Sequence, residues 1–348
     1  MESDGGGDII LSSISPHIRL AKAYFRNKVL RKKQPVVFAH MVTFRCNMRC
    51  HYCFYWKRAG DEVGLKEIGR MLKEASEMGL AVYTATGGEP LLRNDIESIT
   101  ATARDFGFYT TLVTNGLLLR GKELNDLDLL TVSLDTLDRE KFARITGIDA
   151  LSRVLEAVEW ASERFRMNIN VVVHEENADE VCKLVEFADS LGIGVTFEPV
   201  SSYFTGCPDI SSTTLRKAFT EILKLKKEYK CIWNTESYLR LIASEKRFPC
   251  LPYLLLRVNP DGTVIAPCYE VEYVVVGSLV SQSMKSIVNS DKFITTCEAR
   301  KSCGKCYLLC YVEPSMVFSS LKWAVKSVYE MLKFKHLSNS CTTKSLHN

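Results

Sequence analysis

From Val36 onward, short runs of apolar and β-branched residues alternate with segments whose apolar positions recur every three to four residues. Val36–Ala39, Ala81–Thr84, Tyr109–Val113, Leu129–Leu134, Asn168–Val173 and Gly194–Phe197 read as strands. Between them, Leu65, Ile68, Leu72, Ala75 and Met78 make a helical stripe ended by Gly79, and helical periodicity returns at 94–106, 151–165 and 179–190. Such βα alternation with short connections predicts a parallel sheet wrapped by helices, a partial or complete barrel. Polar residues and glycines at the strand ends would then gather the chemistry along one rim.

The pattern changes outside this stretch. Pro16–Leu30 reads as a basic amphipathic helix with Ile18, Ala21, Phe25 and Val29 near one face, closed by Pro35. Residues 201–208 read as a loop and 215–229 as an amphipathic helix, and a hairpin is expected around Asn259-Pro260-Asp261-Gly262. A further helical face carries Val317, Leu321, Ala324, Val328 and Leu332. The expected division is an N-terminal helix over 1–35, a core over 36–210, a helical linker over 211–245, a cysteine-rich unit over 246–314 and a terminal helix with its tail over 315–348.

Composition narrows the class. At 348 residues, 46% apolar and 25% charged, the chain has material for a large core and is neither disordered nor fibrous. No window supplies the run of about 18 apolar residues that a membrane span needs, and no signal-peptide pattern opens the sequence. Charge is uneven. Residues 1–33 hold seven Lys or Arg against three acids, and residues 315–348 hold five against one, so a net +4 overall leaves the middle acidic. Phosphate binding wants basic residues around the cleft, which argues against a nucleic-acid substrate.

Thirteen cysteines are too few for a disulfide scaffold and many for an ordinary intracellular enzyme. Nine fall in two clusters. The first is Cys46-Asn-Met-Arg-Cys50-His-Tyr-Cys53, directly after the first strand. Closely spaced thiolates suit an iron–sulfur cluster, and three ligands on a four-iron cube leave one iron open. A zinc site completed by His51 is the competing reading, with awkward geometry because His51 sits between two ligands. Cys182 falls among apolar helix positions and reads as a small buried hydrophobe.

A CxxxCxxC run beyond the first strand, with Tyr52 before its last cysteine, resembles the radical S-adenosylmethionine (radical SAM) superfamily. Thr86-Gly87-Gly88-Glu89-Pro90, after the second strand, is similar to that family's GGEP motif. The resemblance covers roughly residues 36–200. It implies an α/β fold with a partial (β/α)6-type parallel barrel, carrying a small cysteine-rich C-terminal extension and terminal amphipathic helices. It further implies a [4Fe-4S] cluster on Cys46, Cys50 and Cys53, whose open iron binds the amine and carboxylate of S-adenosyl-L-methionine (SAM), with the GGEP loop receiving the amine. Reductive cleavage would give methionine and a 5′-deoxyadenosyl radical that abstracts hydrogen from substrate. Asn115, the pair Ser133 and Asp135, and Asn170 with Glu198 resemble rim positions near that cofactor, and Tyr52 or Phe54 would shield adenine. Such an enzyme needs a low-potential electron donor, a ferredoxin or flavodoxin, and is oxygen-sensitive. Tyr203 and Cys207 stand in a loop expected to help close the site.

The second cluster comprises Cys250, Cys268, Cys297, Cys303, Cys306 and Cys310. Its order is similar to the SPASM or Twitch extensions of radical SAM enzymes, which hold auxiliary four-iron clusters. The spacing of Cys297, Cys303, Cys306 and Cys310 departs from the full two-cluster pattern, so one auxiliary cluster is expected. Cys250, Cys268 and Cys310 are its favoured ligands, with Cys303 or Cys306 as the fourth; structural zinc is the alternative.

Three functions compete. The basic, amphipathic chain ends favour a lipid or prenyl-type substrate at a membrane surface, although the same helices could simply cap the barrel; a radical SAM enzyme of hopanoid lipid synthesis has a comparable size. SPASM-like extensions are associated with peptide- and protein-modifying enzymes. A non-enzymatic metal scaffold would not need an amine-binding glycine loop. Molybdopterin-precursor synthesis is similar in architecture, but that group ends in Gly-Gly where this sequence has Ser345-Leu346-His347-Asn348. The expected location is cytoplasmic, with peripheral attachment to the inner face of the cell membrane as the extension of the lipid reading.

Overall fold

The structure is a computed structural model that describes residues 16–201, 210–266, 273–300 and 306–325. Six strands follow the expected rhythm: β1 (Val37–Thr43), β2 (Val82–Gly87), β3 (Tyr109–Thr114), β4 (Leu129–Ser133), β5 (Met167–Val173) and β6 (Gly194–Pro199). All neighbours among them are parallel and they lie in sequential order. Parallel strands require long crossovers, and helices supply four of the five: α2 (Leu65–Glu77), α3 (Ile96–Asp105), the pair α4 (Arg139–Thr146) and α5 (Leu151–Ser162), and α6 (Val181–Ser190), while 115–128 joins β3 to β4 without a helix. Of the expected stripe on α2, Ile68, Leu72 and Ala75 are buried, Leu65 is exposed and Met78 is half-buried beyond the helix end, and Met71 and Ser76 are buried beside them. The result is a multi-stranded α/β fold consistent with a partial radical SAM barrel.

The sheet does not stop at β6 and β1. Beyond α1 (Pro16–Lys28) at the start of the chain, and after α7 (Ser212–Glu228) and α8 (Glu236–Ala243), come three more strands, β7 (Leu255–Val258), β8 (Thr263–Ala266) and β9 (Val274–Ser278). β7 joins β1 in parallel, with Val37 opposite Leu255, and β8 and β9 add on antiparallel. The order is therefore β6-β5-β4-β3-β2-β1-β7-β8-β9 in one nine-stranded mixed sheet. The hairpin at 259–262 forms as expected, with Gly262 at φ +80° and its N–H donating to Asn259. The cysteine-rich segment is thus built onto the same sheet as the core. α9 (Met284–Val288), α10 (Asp291–Arg300) and α11 (Leu309–Ser319) complete the described elements.

Several elements differ from the sequence expectation. α4 and α8, eight residues each, escape a periodicity reading because they span only about two turns. They are marked instead by caps: Asp138 and Thr235 accept from the N–H groups of Lys141 and Tyr238. The helix expected through Val317 and Leu321 is interrupted at Ser320, where the backbone turns extended, and Val328 and Leu332 lie outside the described residues. Cys182 is half-buried rather than buried, its Sγ 3.5 Å from Glu186 on the outer side of α6.

α1 departs most. The apolar positions Ile18, Phe25 and Val29 are exposed, while Arg19, Ala23 and Asn27 face the body. Arg19 donates to the Leu80 carbonyl at 3.2 Å and to Ser76 Oγ at 2.7 Å; Arg26 donates to the Met78 carbonyl at 2.8 Å. Asn27 accepts from the Gln34 N–H at 2.9 Å. Arg19 and Arg26 are thus bonded to the end of α2 and Asn27 to the chain after α1, which lowers the penalty that normally drives such residues outward, although the Nε atoms of both arginines are left without a partner.

Candidate active site

Parallel strands deliver their C-terminal ends to one rim, and the predicted site residues follow those ends. The Cys46–Cys53 loop leaves β1 and is clamped from several sides. Arg49 and His51 donate backbone N–H groups to the Thr146 and Ile145 carbonyls at the end of α4, at 2.7 and 3.0 Å. The Trp56 indole donates to the Cys50 carbonyl at 3.2 Å, and Arg45 holds Glu62 with two hydrogen bonds at 2.9 and 3.1 Å. Cys46, Cys50 and Cys53 are half-buried, free thiols. Burial raises all three thiol pKa values, and the Cys50 thiolate is opposed further by Asp135, Cys53 and Cys46. Thiols crowded in this way are poor anions alone and a good donor set for a cationic metal centre, which compensates their charge.

The Gly87-Gly88-Glu89 loop is seated directly on the base of that cysteine loop. Gly88 N–H donates to the Thr43 carbonyl and Glu89 N–H to the Arg45 carbonyl, both at 2.7 Å. Gly87 sits at φ +135°, and a Cβ on Gly88 would lie 2.1 Å from the Arg45 carbonyl oxygen. Glycine is required here by backbone-to-backbone contact. Glu89 is fully buried. Its Oε1 accepts from Leu91 N–H at 2.9 Å and Thr114 Oγ1 at 2.7 Å, and its Oε2 from Asn115 N–H at 2.7 Å. Burial raises its pKa while these three donors oppose the rise. The carboxylate therefore ties the second strand's loop to the end of the third, a task its motif did not reveal. Pro90 is buried and opens the 3₁₀ turn that follows.

Asn115 completes the connection. Its amide donates to Asn47 Oδ1 at 2.7 Å and lies 4.0 Å from Cys46 Sγ, while its Oδ1 accepts from Leu117 N–H at 3.1 Å. On the other side, the Tyr52 hydroxyl donates to Asp135 Oδ2 at 2.5 Å, and Asp135 Oδ1 accepts from Val172 N–H at 2.8 Å. Burial pushes the Asp135 carboxyl up to about 6. Ser133 lies opposite Asn170 in the ladder. Asn170 donates to Glu198 Oε1 at 2.9 Å, and Glu198 Oε2 accepts from Leu309 N–H at 3.0 Å, so the rim reaches the start of α11.

Sequence reading missed three groups. His174, directly after β5, is buried, with its ring 5.9 Å from Tyr52 and 5.4 Å from His51. His51 faces Glu176 at 3.6 Å, and ligand atoms of His51, His174 and Glu176 lie within 4.8 Å of one another. His174 stands directly after a strand on the expected rim, as Asn115 and Asp135 do, so a positional signal existed. Arg257 on β7 is buried and donates to Tyr55 of the cysteine loop at 2.8 Å, a contact across 202 residues that no local pattern announces. His40 and Tyr83 pair at 3.0 Å inside the sheet, and burial holds the imidazole pKa down to about 3.

Of the second cysteine cluster, Cys250 and Cys297 are buried, Cys306 is half-buried and Cys310 is exposed. The Tyr238 phenol, whose hydroxyl donates to the Tyr307 carbonyl at 2.7 Å, is held well above its ordinary pKa by burial, with charges at Glu198 and Glu313, and then Cys310 and Cys306, adding to it. Cys297 instead lies near Tyr253. Cys268 and Cys303, like Tyr203 and Cys207, lie outside the described residues.

Residues 41–188 match the radical SAM superfamily, and residues 208–331 match a domain of unknown function, DUF3463. Among curated proteins, the chain is 38% identical over 156 residues to a probable GTP 3′,8-cyclase of Pyrococcus abyssi, covering 42% of this chain and 51% of that protein. It is 34% identical over 161 residues to a protein of the same description from Saccharolobus islandicus, covering 44% and 52%. The chain thus spans about half the length of these relatives. Among solved structures, Streptococcus suis SuiB bound to S-adenosylmethionine superposes with a TM-score of 0.66 at 18% identity, over 83% of this chain and 74% of that one. Native anSMEcpe with bound AdoMet and Cp18Cys peptide gives 0.61 at 20% identity, over 88% and 99%. At these identities the likeness is one of fold. The clamped CxxxCxxC loop and the glycine loop seated on it both fall within residues 41–188, the stretch that matches the radical SAM superfamily, and a second matched domain follows at 208–331.

Proposed function

We propose that this protein cleaves S-adenosyl-L-methionine reductively and uses the resulting radical on a peptide or protein side chain. One observation carries the first half: a Gly-Gly-Glu loop from the end of β2 is locked by Gly88 and Glu89 onto Thr43 and Arg45, the backbone that leads directly into the loop of three thiols. Cys46, Cys50 and Cys53 would hold a [4Fe-4S] cluster. When bound, that cluster supplies the electron that splits SAM into methionine and a 5′-deoxyadenosyl radical, which takes a hydrogen atom from substrate.

This chain's residues do the rest. The Gly87–Gly88 backbone lets a ligand approach the rim without side chains intervening. Asn115 holds Asn47 and flanks Cys46. Tyr52 and Asp135 brace the far side of the cysteine loop and exclude water there, which protects a radical from stray hydrogen donors. A low-potential ferredoxin or flavodoxin would supply electrons. The C-terminal domain would act as a SPASM/Twitch-type unit holding one auxiliary [4Fe-4S] cluster, using four or more of Cys250, Cys268, Cys297, Cys303, Cys306 and Cys310. The peptide reading is supported by fold likeness to proteins whose structures are described with a bound precursor peptide or Cys-containing peptide.

A lipid or prenyl-type substrate is the second reading, and one observation favours it: α1 presents apolar side chains outward beside lysines. Anaerobic reconstitution tests the chemistry. About eight iron atoms per chain are expected, about four after Cys46, Cys50 and Cys53 are replaced by alanine together. That variant should form no 5′-deoxyadenosine under dithionite; retained cleavage refutes the assignment, and stoichiometric zinc refutes the auxiliary cluster.

A further inference from the structure

An amphipathic helix on a soluble protein normally buries its apolar stripe and exposes its polar one. α1 does the reverse. Its body-facing side is Arg19, Ala23 and Asn27, with Arg26 reaching in from the flank, and these polar residues are hydrogen-bonded to the end of α2 and to the chain at Gln34 and Pro35. The helix is fastened by these hydrogen bonds and by Ala23 and Leu20, which pack against Val36, Ala81 and Leu254, not by the stripe through Ile18 and Phe25. That stripe is left outward: Ile18 is 51% exposed, Phe25 53%, Val29 57% and Leu30 53%. Ile18, Ala21, Phe25 and Leu30 line a shallow groove whose edges include Lys22 and Lys32.

The surroundings are basic. Lys22, Arg31 and Lys32 are exposed, and no acidic side chain pairs with them among the described residues. Lys28 is occupied with the Ser319 carbonyl and Lys33 with Glu298. α11 packs beside α1 through Tyr24 and Phe318, with ring centroids 5.3 Å apart. The helical turn after it exposes two more large apolar residues, Leu321 at 63% and Val325 at 62%. A rim of unpaired cations around an outward apolar stripe is complementary to an anionic surface with a hydrocarbon interior. A soluble protein partner would have to present acidic groups around an apolar ridge, whereas an anionic bilayer offers both everywhere. No described helix is long and apolar enough to cross a membrane, so contact would be at the surface.

We propose that α1 and the turn after it form an interfacial anchor that docks this enzyme on anionic lipid bilayers through Ile18, Phe25, Val29 and Leu30, with Lys22, Arg31 and Lys32 engaging headgroups. The proposal is independent of the substrate, since a peptide-modifying enzyme can also work at a membrane.

The test is co-sedimentation of the full chain with vesicles of phosphatidylcholine containing about one-third phosphatidylglycerol, against phosphatidylcholine alone. Binding is expected to the anionic vesicles and to weaken steeply with salt. I18S/F25S should bind at least tenfold more weakly, with an unchanged melting temperature because both side chains are exposed. K22Q/K32Q, which leaves the apolar stripe intact, should bind about 25-fold more weakly, roughly fivefold per charge. The proposal falls if the folded wild type does not sediment with anionic vesicles, or if K22Q/K32Q binds like wild type. It also falls if light scattering shows a wild-type dimer that I18S/F25S dissociates, which would make a second copy the occupant.

Discussion

Replacing Gly88 by alanine is a severe test of the site's construction. The added Cβ would lie 2.1 Å from the Arg45 carbonyl oxygen, 2.6 Å from that of Phe44 and 2.7 Å from the Arg45 carbonyl carbon. Ordinary carbon–oxygen contact is about 3.3 Å, so the two backbones must separate by about 1.2 Å. All three obstacles are main-chain atoms, and no side-chain rotamer relieves them. Separation stretches the two 2.7 Å bonds from Gly88 and Glu89 to Thr43 and Arg45. Losing both costs about 2–3 kcal/mol. Displacing the glycine loop from the cysteine loop by about 1 Å is enough to lower a rate on the order of a hundredfold.

The assay pairs thermal denaturation with 5′-deoxyadenosine formation by reconstituted enzyme under dithionite. Gly121→Ala serves as control: φ is +81° there, but nothing lies within 4 Å of the new Cβ. It should cost about 1–2 kcal/mol of backbone strain and leave cleavage intact. Should Gly88→Ala melt with wild type and cleave SAM at more than half its rate, the seating of one loop on the other is not what organises the site.

Other consequences are measurable. His40 is buried neutral, its pKa lowered to about 3 from the ordinary 6.5 by burial. A depressed imidazole contributes stability that is present above 6.5 and lost as pH falls towards 3, at up to about 1.4 kcal/mol per pH unit. His40→Gln, which keeps a partner for Tyr83, should flatten the wild-type decline in melting temperature over that window; identical pH profiles would contradict the buried, neutral imidazole. Glu198→Ala removes the acceptor for Asn170 and for the Leu309 N–H. It should destabilise by about 1–3 kcal/mol and speed amide exchange in α11, measured by mass spectrometry; unchanged exchange would mean that the rim does not hold α11. Arg257→Leu leaves the Tyr55 hydroxyl without that donor, and a melting-temperature loss equivalent to about 1–3 kcal/mol is expected.

The βα rhythm, the hairpin at Asn259–Gly262 and the two motifs were legible along the chain because each rests on local rules: side-chain period, turn chemistry and ligand spacing. Those rules marked the strand ends as one rim, and the family resemblance picked Asn115 and Asp135 out along it. They did not reveal what holds those residues. Glu89 is consumed by Leu91, Thr114 and Asn115, and the Tyr52–Asp135 bond joins positions 83 residues apart. Arg257 reaches Tyr55 only because β7 pairs with β1.

α1 shows the limit most clearly. Its sequence alone determined an amphipathic helix with a basic character, and that helix forms. Which face turns inward was decided by the tertiary structure. The Leu80 and Met78 carbonyls and Ser76 Oγ offered Arg19 and Arg26 hydrogen bonds. A buried polar side that is largely paired carries a reduced penalty, and with Ala23 packed among Val36, Ala81 and Leu254 the outer apolar stripe was left to face outward.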